Sequence, residues 1–152
     1  MLHSYVRIYI HLIWTTKKRE KLLDGDIRLL VKKHLVKNAQ DKNINIDTLH
    51  VQPEHVHSLV SLSSNQEVDD IVKLLKGESS HWINSENIIP QKFSWQRGYG
   101  AFSISPSHLG AVRKYINNQD EHHRKKSFAE EYKTILQKYG FSERETDESV
   151  DE

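Results

Sequence analysis

The chain has 152 residues, no cysteine and a formal net charge of +1. That length suits one domain with a core that needs no staples, and the missing thiols exclude a disulfide framework and thiolate zinc sites. No apolar run approaches the ~20 residues of a membrane span, and the opening MLHSYVRIYIH lacks a signal peptide's charged start, so a soluble cytoplasmic protein is expected.

SYVRIYIHLIW alternates and is rich in Ile, Tyr and Val, which predicts a first strand over Ser4–Trp14. TTKKREK follows as a basic loop. Apolar residues at Ile27, Leu30, Val31 and Leu35 carry a helical spacing from Asp26 to Gln40. Alternation returns over Asn43–Val51. Pro53-Glu54 makes a turn, since proline cannot donate to a ladder, and HVHSLVSL returns as the partner strand of a hairpin. SSNQ leads into a helix marked by Val68, Ile71, Val72, Leu74 and Leu75, its end blurred by Gly77. A fourth strand is predicted over Gly100–Ser105. Pro106-Ser107 opens a third helix through Leu109, Val112 and Ile116, and a fourth spans Phe128–Tyr139 before Gly140, a natural residue just past a helix end.

The order β-α-β-β-α-β, then helices, is an α+β, ferredoxin-like pattern: an antiparallel sheet with helices on one face plus C-terminal helices. One domain over 1–141 is expected, followed by an acidic, disordered tail, SERETDESVDE over 142–152. The tail holds six acids and one arginine; taking these from totals of 21 and 22 leaves a body with six more bases than acids. A basic body suits a polyanionic partner, although an ordinary solvated surface explains it as well.

Side chains alternate across a strand, so His55 and His57 share one face and Val56 takes the other. Val56, Leu59 and Val60 cannot all lie on one side, so both faces of this strand are expected to be buried in part. Two imidazoles two residues apart can chelate one divalent ion; a surface pair, or histidines satisfied by neighbours, has the same pattern. Tyr115 and Gln119 are four apart and share a helix face, with His122 on the same stripe. Alone, that helix reads as a core-edge tyrosine with solvated neighbours.

Together, His55-Val56-His57 on a strand and Tyr115-x-x-x-Gln119 on a later helix resemble the single-tyrosine HUH transposases of small bacterial insertion sequences, relatives of the REP-associated tyrosine transposases. HLIWTTKKR, VQPEHVHSLVSL, LLKGESS, SWQRGYGAFSIS and YINNQDEHHRKKSFAEEY resemble that family's blocks in the family's order, from about His11 to about Tyr139. The resemblance implies that Tyr115 is the nucleophile. It implies that His55, His57 and Gln119 bind a divalent metal, Mg²⁺ or Mn²⁺. It implies cleavage and rejoining of hairpin-marked single-stranded DNA through a 5′-phosphotyrosine link. It also implies a homodimer with composite sites, Tyr115 of one chain serving His55 and His57 of the other. Pro106 would stiffen the hinge, Ser107 would cap the helix, and an exposed first strand would extend the sheet across the two-fold axis.

Lys17, Lys18 and Arg19 are candidate phosphate ligands, with a solvated loop as an equal reading. Trp95, Arg97 and Tyr99 suit stacking or clamping of single-stranded bases, though a core tryptophan beside a structural turn reads better. Lys76 and Ser79-Ser80 are candidates to track a DNA backbone, and His122-His123 lie near the nucleophile or are merely solvated. The alternatives are a domesticated nickase with the same chemistry and a non-catalytic ferredoxin-like nucleic-acid-binding module.

Overall fold

A computed structural model of the chain describes residues 3–141; the expected acidic tail lies outside the described residues. Strand β1 (Ile8–Thr15) leads through a short 3-10 turn (Lys17–Arg19) into α1 (Gly25–Asp41), then the hairpin β2 (Asn45–Val51) and β3 (His55–Leu62). Helix α2 (Val68–Ser85) crosses back to β4 (Gly100–Ile104). A 3-10 turn (Pro106–His108) then precedes α3 (Leu109–Asn117), α4 (Gln119–His122) and α5 (Phe128–Lys138). The sheet is antiparallel in the order β2-β3-β1-β4. This is the ferredoxin-like arrangement expected from the pattern. Among the described residues no helix is long and apolar enough to cross a membrane.

Strand β1 starts four residues later than the alternation suggests, because its partners run out: Ile8 pairs with Leu62, the last residue of β3. It is also no edge. β1 lies between β3 and β4, so the expectation that it extends the sheet to a partner is wrong; the open edges belong to β2 and β4.

The two faces of the sheet carry different cores. Leu12 and Trp14 of β1 and Val56 and Val60 of β3 pack with Val31, Leu35, Ile71, Val72 and Leu75 from α1 and α2. On the other face Ile13, Phe102 and Phe128 form a smaller cluster with Tyr132, Ile135 and Leu136 of α5. β3 is buried on both faces over its first six residues, as Val56, Leu59 and Val60 require. His55 and His57 therefore point into the second, smaller layer.

Side-chain ties hold that layer on the sheet. A bulge between Ile46 and Thr48 turns Asp47 out of the β2 ladder, and Asp47 accepts two bonds from Arg113 of α3, at 2.9 and 2.8 Å. Gln52 in the hairpin turn donates to Asp120 of α4 at 2.8 Å. Helix α5 is capped by Ser127, whose Oγ accepts from Glu130 N. It ends at Gly140, where the φ of +87° lets Gly140 N and Phe141 N bond back to Gln137 O and Leu136 O. Ser107 does not cap α3: it lies inside the 3-10 turn, and α3 begins at Leu109 without a side-chain cap.

Candidate active site

Three elements meet over the start of β3. The strand supplies His55 and His57, the α3–α4 segment supplies Tyr115, Gln119, His122 and His123, and α5 supplies Glu131. His55, His57 and Gln119 are wholly buried, and Glu131 is 2 % exposed. The helix breaks at Asn118, between Tyr115 and Gln119, yet Asn118 N still bonds Lys114 O at 3.0 Å. The turn is preserved, and both side chains face the histidines.

Glu131 is the hub. Its Oε1 lies 3.0 Å from His57 Nε2 and 3.8 Å from His55 Nε2. Its Oε2 accepts from Gln119 Nε2 at 3.2 Å and lies 3.3 and 3.4 Å from the Nε2 atoms of His122 and His123. The Tyr115 hydroxyl lies beside Glu131 and Gln119. The rings of Tyr115 and His57 stand edge-to-face with centroids 5.8 Å apart. Gln119 Oε1 lies 3.4 Å from His55 Nε2 and 2.9 Å from His123 Nε2.

The outer nitrogens of the histidine pair are already engaged. His55 Nδ1 bonds the carboxylate of Glu54, and His57 Nδ1 shares a 2.8 Å bond with Nε2 of His11 on β1. Both Nε2 atoms are thus aimed inward, the arrangement that fixes tautomers at histidine metal sites. One ligand atom from each of His55, His57 and Glu131 lies within 4.8 Å of the others, close enough to share one cation. The donors fit a divalent cation: the carboxylate and the amide oxygen are hard, the imidazoles intermediate.

Burial sets the charge states. It drives His57 down to about 4 against the pull of Glu131, and with His57 beside it drives His11 down to about 3. Burial pushes the Glu131 carboxyl up, but the hydrogen bond and charge of His57, with Tyr115 and His55, outweigh it and hold Glu131 at about 2. Tyr115 is pushed well above the ordinary phenol range by burial and by its bond to Glu131. At neutral pH the group therefore holds neutral His11 and His57, an ionised Glu131 and a protonated Tyr115.

The structure brings together Tyr115, His55, His57 and Gln119, the four residues singled out in the sequence. It does so within one chain, where the resemblance implies a site shared between two. The basic candidates lie apart from this group. Lys18, Arg19 and Arg97 line a neighbouring cavity, and the Arg19 guanidinium also sits 5.0 Å over the Phe128 ring. Lys17 is exposed on the same turn. Lys76 turns inward: its Nζ donates to Gln96 O and Gly98 O, both at 2.7 Å, holding the loop that carries Arg97. Trp95 is a core residue, its Nε1 bonded to Ser79 Oγ at 2.9 Å; that bond buries Ser79, while Ser80 Oγ bonds back to Gly77 O. Sequence reasoning missed Glu131 and His11. Both left a signal: Glu131 falls on the apolar stripe Phe128, Tyr132, Ile135, and His11 shares a strand face with Ile13.

Comparison with known proteins identifies the family and the fold. The family described as "Transposase IS200 like" matches residues 4–119. The ISDra2 transposase TnpA of Deinococcus radiodurans is 29% identical over 116 residues, covering 73% of this chain and 83% of that protein. A crystal structure of a Deinococcus radiodurans R1 protein assigned as a transposase superposes with a TM-score of 0.64 at 26% identity, over 78% of this chain and 95% of that one. The structure of a REP-associated tyrosine transposase bound to a REP hairpin shares the fold, with a TM-score of 0.61 at 16% identity, over 81% and 73% of the two chains. Glu131 lies beyond the stretch that the family pattern matches.

Proposed function

The chain belongs to the IS200-like transposase family, and from that premise we propose that it cleaves and rejoins single-stranded DNA through a 5′-phosphotyrosine link on Tyr115. The observation that carries this reading is the convergence of the Tyr115 hydroxyl and the Nε2 atoms of His55 and His57 on one buried carboxylate, Glu131. His55, His57 and Gln119 hold a divalent cation, Mg²⁺ or Mn²⁺, and Glu131 adds a carboxylate to the set. Such an ion, when bound, polarises the phosphodiester and stabilises the charge that develops on its oxygens.

The protein's part is placement. Glu131 and Gln119 flank the phenol, while Glu54 and His11 keep the imidazoles pointed inward. The Tyr115 oxygen gives up its proton and bonds to phosphorus, the bond from phosphorus to the 3′ oxygen breaks, and the 3′ oxygen takes up a proton and leaves as a hydroxyl. A phenol is intrinsically a better leaving group than an alkyl alcohol, so a 3′-OH can later reverse the step and join a new end. The bond energy is kept throughout, and no nucleotide cofactor is required.

The substrate in this reading is a single strand with hairpin-marked ends, met in the cytoplasm. The working unit is a homodimer in which the α3–α5 layer is exchanged about the Ser105–Pro106 hinge, the contacts seen within one chain being remade on the partner's sheet. The experiment is to incubate the protein with single-stranded DNA taken from either side of its own coding region, plus Mn²⁺. A denaturing gel should show a covalent protein–DNA adduct and a released strand ending in a 3′-OH. Binding without any adduct would leave a nucleic-acid-binding module.

A further inference from the structure

We propose that the cavity between the Lys17–Arg19 turn and the 96–99 loop seats one unpaired nucleotide of the DNA strand, next to the Tyr115 site. This rests on the DNA-cleaving reading above and adds to it a place where the protein grips a base. The cavity has a volume of about 360 Å³, and its lining includes Lys18, Arg19, Gln96, Arg97, Tyr99 and Tyr132. Its position follows from the sheet: Thr15, also in the lining, pairs with His55 across β1 and β3. A ring stack bridges the two sites. Phe128 lies over His55 with centroids 4.0 Å apart, and Tyr132 lies over Phe128 at 5.4 Å.

Two features point to a nucleotide. First, Lys18, Arg19 and Arg97 place three cations around the cavity, and none has an acidic partner among the described residues. Such a cluster suits phosphate oxygens. Second, Tyr99 and Tyr132 offer aromatic surface, which every base can stack upon.

The walls are held in shape at a cost. Lys18 and Arg19 both sit in the left-handed region, with φ of 57° and 54°, which non-glycine residues rarely adopt. Lys18 N is fixed to Gln96 Oε1 at 3.0 Å, and Lys76 clamps the opposite loop by two carbonyls. Gly100 lets Tyr132 approach: a Cβ there would stand 2.6 Å from the Tyr132 hydroxyl. Strain kept in a basic turn beside a candidate DNA-cleaving site has a purpose if the turn holds a ligand. A base inside a duplex cannot enter such a cavity, so the seat selects unpaired nucleotides.

The test is an abasic scan. The probe is a DNA hairpin with single-stranded flanks taken from beside the chain's own coding region, each flank position replaced in turn by an abasic site. Fluorescence anisotropy of the full chain should find one position where losing the base weakens binding about tenfold, the size of one stacked base. In an Arg97→Gln/Tyr99→Ala double variant, whose changes are on exposed side chains, that same abasic site should have no further effect. The hairpin itself should still bind. Uniform sensitivity across the flank, or a special position whose effect persists in the double variant, overturns the seat while leaving the cleavage reading intact. If the wild-type chain binds no such strand at all, the cleavage reading fails and the seat with it.

Discussion

His57 Nε2 lies 3.0 Å from Glu131 Oε1, although 74 residues separate the two along the chain. The carboxylate stands where a cation shared by both histidines would find its hardest donor. Glu131→Gln keeps the side chain's shape and removes its charge, so Mn²⁺ affinity measured by calorimetry should fall tenfold or more, the usual scale for losing a supporting group at a metal site. His57→Ala should lower it further. Unchanged Mn²⁺ affinity in Glu131→Gln would show that the carboxylate is no ligand and leave Gln119 as the third donor.

Tyr115→Phe removes one hydroxyl and keeps the ring that packs edge-to-face on His57. The variant should bind single-stranded DNA as the wild type does and form no covalent adduct. Adduct of wild-type yield from the Phe variant would move the attack to another residue.

Stability should fall as the solution is acidified from pH 7 to pH 5. His11 and His57 are held at about 3 and about 4 in the fold, against 6.5 in an open chain. Below 6.5 the unfolded chain takes up protons that the folded chain refuses, so the unfolded state gains and stability drops with a slope approaching ~2 kcal/mol per pH unit. Glu131 adds to the loss only below its ordinary 4.5, on the way to about 2. Urea midpoints recorded in chelator at several pH values measure the slope. His11→Asn removes one of the strongly depressed histidines and should flatten the curve; a midpoint that does not move between pH 7 and 5 contradicts the burial of neutral histidines.

Mixing two inactive proteins decides where Tyr115 acts. Tyr115→Phe and His57→Ala chains, exchanged into heterodimers, regain one complete site per dimer if the α3–α5 layer is swapped. If heterodimers form and no cleavage returns, each chain uses its own tyrosine, as the single chain is folded here.

Much of this was legible before any coordinates, for physical reasons. Alternation located the strands, and the period of two put His55 and His57 on one face. What escaped depended on tertiary packing. In FAEEY two adjacent acids differ only in that Glu131 falls on the stripe of Phe128, Tyr132 and Ile135, and that stripe does not say which partners would bury a carboxylate. His11 looks like one more residue of an apolar strand until β3 is laid beside it in register with Leu59 opposite. The left-handed turn at Lys18 and Arg19 has no glycine to announce it. Lys76 read as a free cation because the carbonyls it holds lie twenty residues on.

The complete burial of His55, His57 and Gln119 sets a condition on turnover. A phosphodiester reaches these groups only when α5, or the α3–α4 segment, moves off the sheet. The core beneath α5 is small, chiefly Ile13, Phe102 and Phe128, so this is the part of the molecule suited to opening locally. The observed affinity for DNA is then the intrinsic affinity scaled by the fraction of molecules standing open. Substitutions that tighten the α5 core would raise the melting temperature and slow cleavage together, without touching a single reacting atom.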